Sequence, residues 1–454
     1  MILIGILLAI IAGLSILSII SDKFSVFERI GLGYIIGLGL VTFSFFGFNL
    51  LGVKSTFVSI NSVLVLVAIG GYFLGKGNLI KNWQIDKALV SKYALNGMWL
   101  VCFILISYLL YVIAKKALYW PTLEYDSVTG YDFMAKAIAR EGFISNSIIE
   151  NMRSSREYVR ILYPPFASCS FAYAYLWGAT QPNLIVIFHF SAFFLVFYTW
   201  LLRFTNPMAA ILFTLAAIVT PEFFSHAAMA LSNLPNALHT GIMFISLFIW
   251  MREKEMRYLI IAIIFAALNT FTRSDAVVFS LVGIFFVLIE SIKDKKWLNV
   301  VYFSLGSLLT FLAWNIFAAK VLHSEGTSDY FVKYLFWDFD KITQMFGHIK
   351  LYMYTDNGFY GLTFWVFYIA IFISAKAWNN PAQIFLLITV MAWFGYTALY
   401  YQMDNKVIDS LDVLMKASYK RGLFNFVPLC WFYVAISPAM VWFFDKIEKF
   451  LYEK

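Results

Sequence analysis

Charge is what this sequence has least of. Aspartate, glutamate, lysine and arginine fill 13% of 454 positions, against about 25% in an ordinary soluble domain. A water-soluble fold has too little polar surface here to cover the 61% of residues that are hydrophobic, which excludes that class. Cysteine is scarce as well. Cys102, Cys169 and Cys430 stand far apart in apolar stretches, so neither a disulfide framework nor a cysteine metal site can be drawn, and they read as packing residues. No metal-ligand spacing appears, so no cofactor is expected, and a divalent cation finds no support from ligand spacing. The formal net charge of +8 does not point to nucleic acid. Its basic residues are scattered through connecting loops, where anionic membrane lipid is the better partner.

What the chain has in abundance is long apolar runs. Runs near the roughly 20 residues that cross about 30 Å of hydrocarbon cover 1–20, 29–52, 57–75, 97–117, 182–202, 207–220, 234–251, 256–272, 275–292, 298–319, 358–375, 382–401 and 421–443. A further run at 163–178 is short. The expectation is an all-α, polytopic transmembrane bundle with about 13 crossings. The first run has no basic residue before its apolar core and no clear small-residue cleavage site. It reads as a retained helix rather than a removed signal peptide.

Orientation follows from the short loops, where lysine and arginine favour the cytoplasm. Basic clusters stand at Lys76, Lys81, Lys87 and Lys92, at Arg252, Lys254 and Arg257, at Lys293, Lys295 and Lys296, and at Lys446, Lys449 and Lys454. Placing all of them inside puts the loops 118–162, 320–357 and 402–420 outside, provided that one segment between 163 and 220 does not cross. The segment 163–178 opens with Tyr163-Pro164-Pro165 and is followed by a loop without a basic residue. It is expected to be re-entrant or shallow, which is allowed where protein surrounds it. The chain then lies in the plasma (inner) membrane with its long loops on the extracytoplasmic side.

The loop 118–162 carries the most chemistry. Val128, Tyr131, Ala135 and Ile138 recur at helical spacing, predicting a short amphipathic surface helix. Asp132, Lys136 and Arg140 step along another face and read either as a solvated ion-pair ladder or as functional groups. Asp126 precedes that helix with no basic residue one turn away; it reads as an N-cap, as a catalytic carboxylate, or as both. Arg153, Arg156 and Arg160 then lead into Tyr163, and serve either as snorkelling residues or as a phosphate track. Further polar points are Thr272-Arg273-Ser274-Asp275 between two apolar helices, and Lys416-Ala-Ser-Tyr-Lys420-Arg421 before the last one. Ionisable residues so close to a membrane are functional candidates by default.

Taken in order, these stretches resemble the GT-C superfamily of membrane glycosyltransferases, which take sugars from polyprenyl-phosphate donors. The corresponding stretches are Glu124-Tyr-Asp126, Tyr163-Pro-Pro165, Ser232-Asn233-Leu-Pro235, Thr272-Arg273-Ser-Asp275-Ala276 and Lys420-Arg421-Gly-Leu, spanning roughly residues 95–440. Two departures matter. Asn233 stands where relatives often have Asp, and Asp275-Ala276 replaces an acidic-Gly pair. A neutral Asn233 weakens any case for a hard cation at that place. The resemblance implies an addition of transmembrane helices at 1–95, a catalytic module at 96–320, and a C-terminal transmembrane region at 321–454.

A sugar on a lipid phosphate already has a good leaving group. The remaining needs are a base for the acceptor hydroxyl and charge stabilisation on the departing phosphate. The resemblance implies Asp126 as the base, Asp132 as the reserve and Glu124 as an orienting carboxylate. Arg421, Lys420 and Arg273 would hold the lipid phosphate, with Asp275, Asn233, Arg156, Arg160 and Tyr163 beside the substrate. It also implies inversion at the anomeric carbon, and an acceptor that is a glycan, a lipid or a protein. Three other classes compete. A transporter or flippase would be polytopic too, yet no two-fold repeat is visible and few charges lie inside the helices. His189, His226 and His239 read more readily as core residues than as relay groups. A polymerase or ligase of another fold would share the outer arginines without the order from Asp126 to Tyr163-Pro-Pro. A purely structural subunit would have no use for the outer polar residues. Tyr330, Trp337, Tyr352 and Tyr354 read as interface anchors before they read as sugar-stacking groups.

Overall fold

The computed structural model describes residues 1–75, 97–152, 163–324, 332, 334–355, 357–403 and 410–452. Every element among them is helical, as the apolar runs predict, and no strand occurs among the described residues. The basic cluster at Lys76, Lys81, Lys87 and Lys92, the arginine row Arg153, Arg156 and Arg160, and Tyr330 lie outside the described residues. Nine of the described helices are long and apolar enough to cross a bilayer, or ten if the bent pair Leu411–Ile436 and Pro438–Phe450 forms one span. Pro207–Ile218, Met256–Thr270 and Thr363–Ser374 are apolar but shorter. The helices Phe57–Leu74, Gly97–Tyr119 and Leu298–Lys320 leave most of their apolar surface uncovered by protein. In water such faces would associate; in a bilayer, lipid covers them.

The chain divides into two compact units of interleaved segments. The first holds residues 1–203, 226–235 and 271–273, and the second holds 204–225, 236–270 and 274–454. In the first unit the helices Ile2–Ile20 and Val26–Leu50 pack tightly. A side chain on Gly13 would collide with the backbone of Gly33, and one on Gly37 with that of Ala9, so glycine permits the close approach. Ser25 and Glu28 form a capping box at the start of Val26–Leu50, and Glu28 also accepts a 2.8 Å hydrogen bond from Trp200 Nε1. That bond, with Tyr34 Oη donating to the Ile185 carbonyl at 3.0 Å, fastens this helix to Asn183–Leu201.

The segment 163–178 is helical only over Phe166–Leu176. Its 11 residues extend about 16 Å, half of what a crossing needs. Residues Phe166 to Ala174 are all buried, so the segment belongs to the interior of its unit.

In the second unit Leu298–Lys320 packs against both Met256–Thr270 and Val277–Asp294, while Val427–Ile436 packs against Pro207–Ile218 and Thr363–Ser374. Two runs that look continuous in the sequence are broken. The run 421–443 bends by 54° between helices ending at Ile436 and beginning at Pro438, because Pro438 has no N–H to continue the ladder and its ring crowds the preceding turn. The run 358–375 is interrupted at Gly361, whose φ of 55° separates Asn357–Tyr360 from Thr363–Ser374.

Candidate functional site

The loop that begins at residue 118 is pinned before its candidate functional residues begin. Gln181 Nε2 donates to the carbonyls of Ala117 and Leu118 at 2.9 Å, and Thr122 Oγ1 donates to Asn183 Oδ1 at 3.3 Å. The predicted amphipathic helix is present as Asp132–Glu141, preceded by a π turn over Ser127–Tyr131. Ala135, Ile138 and Tyr131 are buried and the helix packs on Phe166–Leu176, whereas Val128 stays exposed.

The two aspartates differ from the solvated ladder and the cap read from spacing. Asp132 is 2% exposed. One carboxylate oxygen accepts the Tyr175 hydroxyl and the other accepts Lys136 Nζ at 2.8 Å, with that ammonium 5.6 Å from the Tyr175 ring centroid. This is a buried anchor between the surface helix and helix 166–176. Asp126 occupies the position before the π turn, half-buried, and its side chain makes no cap hydrogen bond. Glu124 is half-buried, and its Oε2 is enclosed with no hydrogen-bond partner among the described residues.

Tyr131 gathers four of the sequence stretches in this first unit. Ser232 Oγ donates to its hydroxyl at 2.5 Å, and its ring stacks on Tyr163 with centroids 5.1 Å apart. Burial chiefly raises its pKa; the neighbouring Tyr163 and Asp126 add to the shift, while Arg273 and the Ser232 hydrogen bond oppose it. Asp126 and Arg273 therefore both lie within electrostatic range of this phenol. Arg273 Nη1 donates to Asn233 Oδ1 at 2.9 Å. Phe166 N–H donates to the Phe271 carbonyl at 3.0 Å, which ties the start after Tyr163-Pro-Pro165 to the turn that presents Arg273. The cluster thus combines a half-buried carboxylate, a phenol and a guanidinium.

The second unit holds Asp275, Lys420 and Arg421. Lys420 Nζ sits 2.9 Å from the Phe359 ring centroid and 5.8 Å from that of Tyr352, an aromatic seat for an ammonium. Tyr360 Oη donates to the Lys420 carbonyl, and Arg421 Nε donates to the Ala417 carbonyl at 2.6 Å. Just beyond, Asn236 Nδ2 donates to Asn425 Oδ1 at 2.8 Å, and Asn425 Nδ2 donates to the Gly422 carbonyl at 3.0 Å. This buried amide pair fixes the turn that presents Lys420 and Arg421.

Sequence reasoning missed Glu222. Burial raises its carboxyl above the usual range, partly opposed by the charges of Lys420 and Arg421. The available signal was its isolation, since Glu222 is the one Asp, Glu, Lys or Arg between Arg203 and Arg252. Among the loop aromatics, Trp337 is exposed, whereas Tyr352 is buried and faces Lys420. His189, His226 and His239 are all buried. No group of three or more metal-binding side chains is found among the described residues. No family model, no curated protein and no solved structure matches this chain.

Proposed function

We propose that this chain is a GT-C-like membrane glycosyltransferase that moves a sugar from a polyprenyl-phosphate donor to an acceptor hydroxyl on the extracytoplasmic side, with inversion. The nine long helices, the bent pair and the three shorter apolar helices correspond one for one to the thirteen runs of the sequence. That correspondence, with helix 166–176 buried within its own unit, supports the odd count which keeps every basic cluster inside. The plasma membrane is the proposed location.

The observation that carries the reading is the convergence on Tyr131. The acidic loop, Tyr163, Ser232-Asn233 and Arg273 arrive there from stretches far apart in sequence. Asp126 is the base: it stands beside Tyr131 in the cluster, whereas Asp132 is committed to Tyr175 and Lys136. A carboxylate within reach takes the acceptor proton as the oxygen attacks the anomeric carbon, and the bond to phosphate breaks. Arg273 supplies positive charge for the leaving phosphate in the first unit, while Lys420 and Arg421 of the second unit form a basic pair suited to a lipid phosphate. Glu124 orients the base or the acceptor.

The test is sugar transfer by purified protein from a polyprenyl-phosphate sugar, comparing wild type with Arg421→Ala. Turnover should fall while the protein stays folded, and Arg421→Lys should rescue only partly because lysine lacks the planar fork. Unchanged turnover in Arg421→Ala removes that residue from the reaction. Absence of transfer by wild type with every polyprenyl-phosphate sugar tried rejects the reaction.

A further inference from the structure

Tyr131 ends the π turn with 4% of its surface exposed. Its ring is fixed against Tyr163 and its oxygen is held by the Ser232 hydroxyl at 2.5 Å. A phenol has one proton to donate besides the lone pairs that accept. The accepting side is in use; no group among the described residues takes the proton. Burial keeps the phenol protonated, so the donor is permanent. A buried donor without an acceptor is costly, and a ligand oxygen placed there would recover that cost.

The surroundings select the ligand. An oxygen that only accepts suits a phenol that only has a proton to give. A substrate hydroxyl has a proton of its own, and the neighbouring Asp126 carboxylate is the group that would take it. A phosphate oxygen has none to dispose of, and the neighbouring Arg273 guanidinium matches its charge. We infer that Tyr131 donates its phenolic hydrogen bond to a phosphate oxygen of the lipid-linked donor, beside Arg273. This deepens the glycosyl-transfer reading, on which it rests, by naming the neutral group that touches the phosphate in the first unit. The proton stays on the phenol throughout, so the contact stabilises charge without consuming an acid.

The experiment measures binding, without a sugar, of a polyprenyl monophosphate and of the uncharged polyprenol of the same length in detergent. Wild type is compared with Tyr131→Phe, which retains the ring against Tyr163. Wild type should prefer the phosphate, and the variant should lose about tenfold or more of that preference, as for a hydrogen bond to a charged group. Its affinity for the alcohol should be unchanged. A preserved preference in the variant means that ordered water takes the proton, and overturns the inference. Equal loss of both lipids assigns the hydroxyl to folding and overturns it too, as does a wild type without any preference. A wild type whose preference is lost in Tyr131→Phe, yet which transfers no sugar, upholds the phosphate contact and sinks only the reaction.

Discussion

The hydroxyl of Tyr175 donates a hydrogen bond to the carboxylate of Asp132, a residue 43 positions earlier in the chain. That bond joins two helices, and Lys136 on the same helix as Asp132 pairs with the other carboxylate oxygen, so the carboxylate is engaged on both sides rather than facing solvent. Asp132→Ala should therefore leave the half-buried Tyr175 hydroxyl without its acceptor and cost about 1–3 kcal/mol of stability. Asp132→Asn keeps an acceptor and should cost less. Thermal unfolding in detergent measures both, and an Ala variant as stable as wild type removes the anchor.

Asp126 should behave in the opposite way. Asn matches Asp in size and keeps a side-chain acceptor, so Asp126→Asn should change stability by no more than about 0.5 kcal/mol. Transfer should fall by about 10²–10⁴-fold, because the amide cannot remove the acceptor proton. The pairing of unchanged unfolding with lost turnover identifies the base. Full turnover in Asp126→Asn ends that assignment.

Glu222 gives a pH dependence with a defined sign. Its folded pKa is raised above the ordinary 4.5 by burial, so the folded protein binds this proton more tightly than the unfolded chain does. The stabilisation is complete below 4.5 and is lost as pH rises through the raised folded value. Glu222→Gln should flatten the decline in unfolding temperature between pH 4.5 and that value. A variant whose decline is as steep as wild type places the effect on another group.

Topology is testable because Cys102, Cys169 and Cys430 are buried and should give little background labelling. Cysteines placed at the exposed positions Glu150, Glu253 and Lys296 should separate. An impermeant maleimide should reach 150 on intact cells, and 253 and 296 only after the membrane is opened. Labelling of 253 from outside overturns the orientation and the non-crossing role of helix 166–176.

The membrane class and the positions of the helices were legible in the sequence because both depend on local hydropathy. Twenty apolar residues in a row form a helix in lipid whatever lies elsewhere in the chain. The spacing of Tyr131, Ala135 and Ile138 likewise revealed the face that the surface helix buries. Side-chain partnership is another kind of property. Spacing by fours made Asp132 look like part of a solvated ladder, since nothing local announces a phenol from another helix. Ser232 meets Tyr131 across 101 positions, and Glu222 acquires its shifted carboxyl only when burial and the basic pair after Tyr419 surround it. The Ser437-Pro438 break is local chemistry, but its 54° angle is a property of the folded chain. The sequence by itself determined that this is a helical membrane protein with an acidic loop beside its helices. Only the tertiary structure decided which carboxylate is an anchor and which phenol, serine and arginine lie together, because burial and hydrogen-bond pairing are set by distant residues brought together.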